Sequence, residues 1–227
     1  MTYLGKYYRT YALDFWGFGE SGTKRSTYQV QDFVSLVDQF MEQMGIVSAP
    51  LIGHSMGGTV SLSVALKFPH RVQKVVVIGS PIKGSSLALG LKMAGKSWIA
   101  WLIFNQMALF RYGLRAVSPY ICRRPDFPDM IDSDLSKTTL ESFLTSIASL
   151  RETDLRPRLH ELSQPVMGIY GAKDIIVDPN EWKTLAKGLP SARIERYSNA
   201  GHFAMLEEPE SVKEKLKDFL DNNTSIL

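Results

Sequence analysis

The sequence predicts an α/β protein built around a mostly parallel β-sheet. Short apolar runs that suit buried strands alternate with longer segments of helical periodicity. Polar side chains that could perform chemistry directly follow three of the strand-like runs, at the edge where open α/β sheets place their sites. Residues 80–159 interrupt this alternation with several helical segments and no clear strand. We therefore expect a sheet-based core with a helical insertion after the strand at 72–78.

The chain begins with one strand-like run and one amphipathic helical segment. The run covers residues 8–13 and contains aromatic and apolar side chains. Ser26 is the predicted N-cap of the helix that follows, with Gln29 three positions further on. Apolar residues keep helical spacing as far as Met44, and Gly45 is expected to end the helix.

The remaining core elements follow the same alternation. The β-branched run at 72–78 is typical of a strand that is buried on both faces. After the insertion, strands are expected at 166–170 and 193–197. Helices are expected near 181–189 and from about 209 to 222.

The most informative turn is Gly53–Gly57, which reads G-H-S-M-G. It lies between the apolar run 49–52 and a segment of helical length at 58–68. A strand, a sharp turn with a serine at its tip and a helix together form a nucleophile elbow, and the flanking glycines relieve the crowding of such a turn. A serine hydroxyl is a weak nucleophile that needs a base, which a third group must orient. Ser55 is therefore the candidate nucleophile.

The base can be sought among only four histidines. His54 adjoins the serine, and its side chain is expected to point away from the serine hydroxyl. His70 is expected at the opposite end of the sheet, and His160 lies in a polar stretch that predicts exposure. His202 follows the strand-like run 193–197, on a loop that leaves the carboxyl end of the sheet. These placements favour His202 as the base.

The orienting acid follows from the same geometry. Asp174 comes directly after the buried run 166–170, so it is expected at the same sheet edge as the serine and the histidine. Asp178 lies in the same loop and is the nearest alternative. Asp14 also follows a strand-like run, but it precedes the glycine-containing turn at 16–19 and is expected to hold that turn by hydrogen bonds to the backbone.

Nearly the whole chain resembles an α/β-hydrolase of the esterase, haloperoxidase and C–C hydrolase group. The resemblance rests on four motifs: the turn at 14–21, the elbow at 53–58, the acid loop at 171–174 and the histidine loop at 201–202. The chain order of nucleophile, acid and base is also that of α/β-hydrolases, not of the trypsin or subtilisin type. The resemblance to this family implies a core of residues 1–79 and 160–227, with a helical lid at 80–159.

The resemblance also implies an oxyanion hole, of which one part has no match here. The N–H of Met56, at the start of the helix after the nucleophile, is the expected donor. The family's second donor comes from a loop after an earlier strand, and nothing in residues 1–7 matches it. Either the chain is shortened at its N-terminus or a strand has moved. We expect residues 8–13 to pair directly with 49–53, or a strand of another chain to fill the gap.

The first half of the insertion is strongly apolar. Residues 87–110 contain many leucines and aromatic residues, which suits a lid that receives an acyl chain or an aromatic group. Packing of these side chains onto the core is the alternative. The arginines that follow could hold a substrate carboxylate or simply face solvent; they are Arg111, Arg115, Arg123 and Arg124. The candidate substrate-binding residues are Trp16, His54, Trp98, Trp101 and Phe203.

Composition narrows the class of protein. Apolar residues make up 44% and charged residues 22% of the 227 residues, which is ordinary for a soluble globular protein. A net charge of +3 without a clustered basic face argues against nucleic acid as a partner. Cys122 is the only cysteine, so no internal disulfide forms and a cytoplasmic location is expected. The longest uncharged, mostly apolar run, 97–110, is too short to span a bilayer.

These observations predict a serine hydrolase that cleaves an ester or thioester of a small apolar acyl substrate, with no metal or organic cofactor. The serine at position 55 argues against a dehalogenase or epoxide hydrolase, in which an aspartate is expected there. Three alternatives stay open: a C–C bond hydrolase, a cofactor-free peroxidase with the same triad, and a catalytically impaired ligand-binding or receptor protein on the same fold.

Overall fold

The computed structural model describes residues 2–22, 27–88 and 107–222. The strands within these residues are β1 (Ala49–His54), β2 (Val72–Ile78), β3 (Val166–Gly171) and β4 (Arg193–Tyr197). The α-helices described are α1 (Val30–Gln43), α2 (Met56–Lys67), α3 (Met107–Ile121), α4 (Phe127–Ser136), α5 (Leu140–Glu152), α6 (Glu181–Gly188), α7 (Ala204–Glu207) and α8 (Pro209–Asp221). Short 3-10 helices lie at Leu4–Lys6, Pro69–Arg71, Gly84–Ser86 and Arg156–Glu161.

The four strands form one parallel sheet in the order β1-β2-β3-β4. Helix α2 connects β1 to β2, and α6 connects β3 to β4. Helices α3, α4 and α5 fall between β2 and β3, at the place predicted for the insertion. Because all strands run the same way, the loops that follow them emerge at one edge of the sheet.

Helices cover the two faces of the sheet, and β2 supplies apolar side chains to both. Val75 and Val77 belong to the larger core cluster, which also contains buried side chains of α1, α2 and α6. Val76 and Ile78 belong to a second cluster with Met167 and the buried residues of α8. Alternate residues of a strand point to opposite faces, so the continuous apolar run in β2 fits a strand covered on both sides.

Lys74 fastens helix α8 to the sheet. This lysine on β2 is buried, and its ammonium group donates to the carbonyl oxygens of Phe219 (2.9 Å), Leu220 (2.7 Å) and Asn222 (2.8 Å). The last carbonyl groups of a helix have no partner within the helix, and a cation near the C-terminus also stabilises the helix dipole. Lys74 therefore caps α8 from inside the core.

The predicted start of α1 was wrong. The helix begins at Val30 with Gln29 as N-cap, while residues 27–29 precede it and Ser26 lies outside the described residues. The carboxylate of Asp32 accepts from the backbone N–H groups of Thr27 (2.9 Å) and Gln29 (3.2 Å), which fixes an extended entry to the first turn. The helix ends at Gln43, shortly before the predicted terminator.

Residues 8–13 form no strand, so the predicted direct pairing with β1 was wrong. Side chains of this segment contact helices instead: the Tyr8 hydroxyl donates to the Asp221 carboxylate, and the Tyr11 ring lies 5.6 Å from that of Phe40. In the part of the chain that the structure describes, β1 pairs only with β2, and Ile52 is 40% exposed. The alternative, that a strand of another chain pairs with the free edge of β1, stays a prediction.

Replacing Lys74 with methionine should destabilise the fold markedly. The variant keeps the aliphatic stem but leaves three carbonyl groups at the end of α8 without their cation. Hydrogen bonds to charged groups contribute about 1.5–3 kcal/mol each, so we expect the free energy of unfolding to fall by about 2–3 kcal/mol or more. Urea unfolding measures this. Lys187→Met, at an exposed lysine, is the matched control, and equal losses in both variants would contradict the assigned role.

Candidate active site

Ser55 occupies a strained turn between β1 and α2. Its backbone φ is 52° and ψ is −123°, a conformation that non-glycine residues rarely adopt. The turn is tight enough to require glycines around it. A Cβ on Gly53 would lie 2.2 Å from backbone atoms of Gly57, and one on Gly58 would lie 2.0 Å from the Ser80 hydroxyl oxygen. The local geometry is that of a nucleophile elbow, with the serine at its tip.

Asp174 and His202 form a buried hydrogen-bonded pair at the same sheet edge. The Asp174 Oδ2 and His202 Nδ1 atoms are 2.8 Å apart, and both side chains are buried. The other carboxylate oxygen accepts from the backbone N–H groups of Ile176 (2.8 Å) and Val177 (2.9 Å), which orients the carboxylate. An ionised carboxylate can only accept, so the Nδ1–H group is the donor of this hydrogen bond, and Nε2 is the ring nitrogen that the acid does not engage.

The ends of strands β2 and β3 lie close to the loop that carries His202. A Cβ on Gly79, just after β2, would lie 3.0 Å from the His202 carbonyl oxygen and 3.1 Å from its Nδ1; the φ of this glycine is 55°. A Cβ on Gly171, at the end of β3, would lie 2.1 Å from the Gly201 carbonyl oxygen. The absence of side chains at these two positions lets the loop approach the sheet edge closely.

His54 links the nucleophile turn to the histidine loop. Its ring centroid lies 4.7 Å from that of His202 and 4.5 Å from that of Phe203. Its Nε2 lies 3.1 Å from the His202 carbonyl oxygen, and because a carbonyl can only accept, Nε2–H is the donor. Burial, with a smaller contribution from the neighbouring His202, lowers the pKa of His54 to about 3. The residue next to Ser55 is thus a neutral donor in direct contact with His202.

The other acids and histidines lie where the sequence predicted. His70 is in the short helix before β2, at the opposite end of the parallel sheet from the serine, and His160 is exposed. Asp14 Oδ2 accepts from the Glu20 N–H at 3.0 Å and so holds the turn. Asp178, the alternative acid, is exposed and accepts from the Asn180 N–H at 2.9 Å.

The remaining predicted site residues have different surroundings. Met56 is the first residue of α2, where backbone N–H groups have no partner within the helix. Trp16 packs against the larger core cluster and is partly exposed. Phe203 contacts Phe127 of α4, with ring centroids 4.7 Å apart. Trp98 and Trp101 lie outside the described residues.

Two glutamates were missed because each has a partner that is distant in sequence: Ile82 and Lys83 for Glu181, and Arg123 for Glu207. Glu181 is fully buried, and its Oε1 accepts from the N–H groups of Ile82 (2.7 Å) and Lys83 (3.0 Å), which ties the start of the insertion to α6. Glu207 accepts from the Gly201 N–H (2.6 Å) with one oxygen and contacts the insertion with the other. The position of Glu207, five residues after His202 and two before Pro209, is the signal that the sequence offers for it.

Within residues 2–22, 27–88 and 107–222, no cluster of three or more His, Cys, Asp or Glu side chains is arranged to hold a metal ion. No helix there combines the length and apolar character that crossing a membrane requires.

Comparison with known proteins identifies the family. A family model described as serine aminopeptidase, S33, matches residues 5–210. The chain is 29% identical to the uncharacterized hydrolase YugF of Bacillus subtilis, covering 94% of this chain and 80% of that one. It is 27% identical to a 2-hydroxy-6-oxononadienedioate/2-hydroxy-6-oxononatrienedioate hydrolase of Paraburkholderia phymatum, with 94% and 76% covered.

A solved structure agrees with this assignment. An esterase from Exiguobacterium antarcticum superimposes with a TM-score of 0.77 at 19% identity, covering 92% of this chain and 80% of that one. This likeness shows the fold, with its parallel sheet and flanking helices. Because the family model spans most of the chain and the fold agrees with it, the protein belongs to the serine aminopeptidase S33 family and is an α/β-hydrolase, as its four motifs predicted.

Proposed function

We propose that the chain is a serine hydrolase that cleaves an ester or thioester of a small apolar acyl substrate through an acyl-enzyme. The observation that carries the proposal is the buried Asp174–His202 pair beside the strained turn of Ser55. A serine of this kind needs a base, and the base needs an orienting acid. The site supplies the acid–base pair, and His54 contacts its histidine from the residue next to the serine.

The proposed reaction uses only groups of this chain and water. Ser55 Oγ attacks the substrate carbonyl carbon while His202 Nε2 takes its proton, and Asp174 stabilises the resulting imidazolium. The Met56 N–H, at the positive end of the α2 dipole, donates to the oxyanion. The tetrahedral intermediate collapses to the acyl-enzyme, and His202 gives its proton to the leaving alcohol or thiol. Water then repeats the sequence, releases the acid and restores the serine.

Substrate contacts are proposed from both the core and the insertion. His54 and Phe203 lie beside His202, and Trp16 lies in the turn that α5 contacts through a hydrogen bond from Ser142 Oγ to the Gly17 carbonyl (2.8 Å). We propose that residues 80–159 act as a lid over the site. Trp98 and Trp101 are its proposed contacts with the acyl group.

A cytoplasmic location is also part of the proposal. It is supported by the single cysteine, Cys122, which is buried and cannot form an internal disulfide. The proposed partner is the small-molecule substrate.

C–C bond hydrolysis is the second candidate function. It is favoured by the similarity to the Paraburkholderia phymatum relative, whose name describes hydrolysis of a dioate compound. The same three residues would serve, so the two candidates differ in the substrate turned over. Parallel assays with p-nitrophenyl esters and with a vinylogous 1,5-diketone separate them by kcat/KM.

Ser55→Ala, His202→Ala and the double variant should lose similar amounts of activity. Residues that act as one unit are strongly non-additive, so each change should lower kcat by about 10⁴-fold or more, and the double variant should lose little beyond that. Hydrolysis of p-nitrophenyl acetate and butyrate measures this. His160→Ala, at an exposed histidine, is the matched control. Near-normal turnover in His202→Ala would remove that residue from the mechanism.

Asp174→Asn should preserve the fold and lower kcat by about 10⁴-fold, because an amide favours the wrong imidazole tautomer. Asp178→Asn, in the same loop but exposed, should have little effect. Steady-state kinetics of both variants, with thermal melts to check folding, compare the two carboxylates. The reverse ranking would show that the wrong acid was chosen.

A lid that receives the acyl group should favour acyl chains longer than acetate. Each buried methylene contributes up to about 0.8 kcal/mol, or about fourfold in kcat/KM. Trp98→Ala or Trp101→Ala should flatten the preference across the p-nitrophenyl series from acetate to hexanoate. A steady fall in kcat/KM along this series in the parent protein would show that the insertion is not an acyl pocket.

A further inference from the structure

The loop that carries His202 is held from outside the Asp174–His202 pair by one carboxylate. Glu207 Oε2 accepts the N–H of Gly201 at 2.6 Å, one residue before the histidine. Glu207 ends the short helix α7, which starts directly after the loop, and its own N–H donates to the Phe203 carbonyl at 3.1 Å. The glutamate thus closes a compact turn around His202.

The second oxygen of the same carboxylate reaches the insertion. Glu207 Oε1 accepts the N–H of Arg123 at 3.1 Å, just beyond the end of helix α3. The two amide groups come from segments far apart in sequence, and hydrogen bonds to an ionised acceptor are stronger than neutral ones. One side chain therefore joins the histidine loop to the chain between α3 and α4.

Apolar contacts reinforce the same junction on the other side of His202. Ile121, Cys122 and Phe127 form a small buried cluster, against which Phe203 and Leu206 pack. The insertion therefore rests on the residue after His202 through ring contacts, and on the residue before it through Glu207.

Displacement of this junction would move the imidazole. Gly201 is joined to His202 by one rigid peptide unit, so releasing its N–H lets the His202 backbone shift while Asp174 still holds Nδ1. Misplacement of a reacting group by about 1 Å can cost about a hundredfold in rate. A side chain that fixes Gly201 can thus affect proton transfer without touching the substrate.

We propose that Glu207 is a positioning residue for His202, and that it couples the histidine to the end of helix α3 in the insertion. This inference rests on the proposed role of His202 as base. Glu207 acts by accepting two backbone N–H groups at once, so both its charge and its reach matter.

Three variants test the coupling. Glu207→Gln keeps the shape but replaces one accepting oxygen with an NH₂ group, and Glu207→Asp keeps the charge but shortens the reach. Glu210→Gln, at an exposed glutamate paired with Lys213, is the matched control. Activity is expressed per folded molecule, with the folded fraction taken from circular dichroism. We expect Glu207→Gln to lower kcat by about ten- to a hundredfold with KM within about twofold, Glu207→Asp to lie between it and the parent, and the control to match the parent.

A spectroscopic readout separates positioning from mere stabilisation. The low-field ¹H NMR signal of the His202 Nδ1 proton should shift or broaden in Glu207→Gln and stay unchanged in Glu210→Gln. A lower melting temperature with parental kcat and a parental Nδ1 signal would overturn the proposal. If Glu207→Gln does not fold at the assay temperature, Glu207→Asp decides by the same two readouts.

Amide hydrogen exchange tests the junction in the unaltered protein. The amides of Gly201 and Arg123 should both be protected, and should lose protection together in Glu207→Asp. Free exchange at either position in the parent would overturn the proposal. Failure of the proposed function gives a different result from failure of the Glu207 proposal, because His202→Ala would then keep its turnover. If His202→Ala is inactive while Glu207→Gln keeps the parental kcat and the parental Nδ1 signal, the proposed role of Glu207 is overturned and the proposed role of His202 stands.

Discussion

Parallel alignment of the four strands is the constraint on which the candidate site depends. It brings the loops after β1, β3 and β4 to one edge, so Ser55, Asp174 and His202 share that edge although they are far apart in sequence. Close approach of the loops then depends on small residues at the strand ends. A Cβ on Gly171 would lie 2.1 Å from the Gly201 carbonyl oxygen, and Gly79 combines a φ of 55° with a tight approach to His202, so both positions favour glycine beside the histidine loop. The sheet thus sets where the groups meet, and the glycines set how closely.

The histidine loop is the point at which core and insertion meet. Asp174 holds the imidazole through Nδ1, while His54 donates to the His202 carbonyl from the end of β1, directly before Ser55. Glu207 and Phe203 contact the chain around α3 and α4. If His202 is the base, as proposed, movement of the insertion would displace it through these contacts, and the inserted helices would influence proton transfer as well as any contact with substrate.

The sequence predicted the elements whose signals are local and missed those decided by tertiary contacts. The β-branched run at 72–78 became a buried strand with the predicted bounds because that character is a property of the segment itself. The strand-like run at 193–197 also kept its predicted bounds, as a partly buried strand. Residues 8–13 have strand-like composition, but Tyr8 and Tyr11 contact helices α8 and α1 instead. The contacts of Glu207 could not be predicted from the sequence either, because one of its partners, Arg123, lies in a different part of the fold.

If Ser55 is a nucleophile activated by His202, it should react covalently with a fluorophosphonate. Intact-mass and peptide-mass analysis after the reaction measures this. We expect one adduct per chain, located at Ser55, with labelling slowed by orders of magnitude in His202→Ala and unchanged in His160→Ala. An unlabelled parent, an adduct on a different serine, or equal labelling rates in the parent and His202→Ala would contradict it.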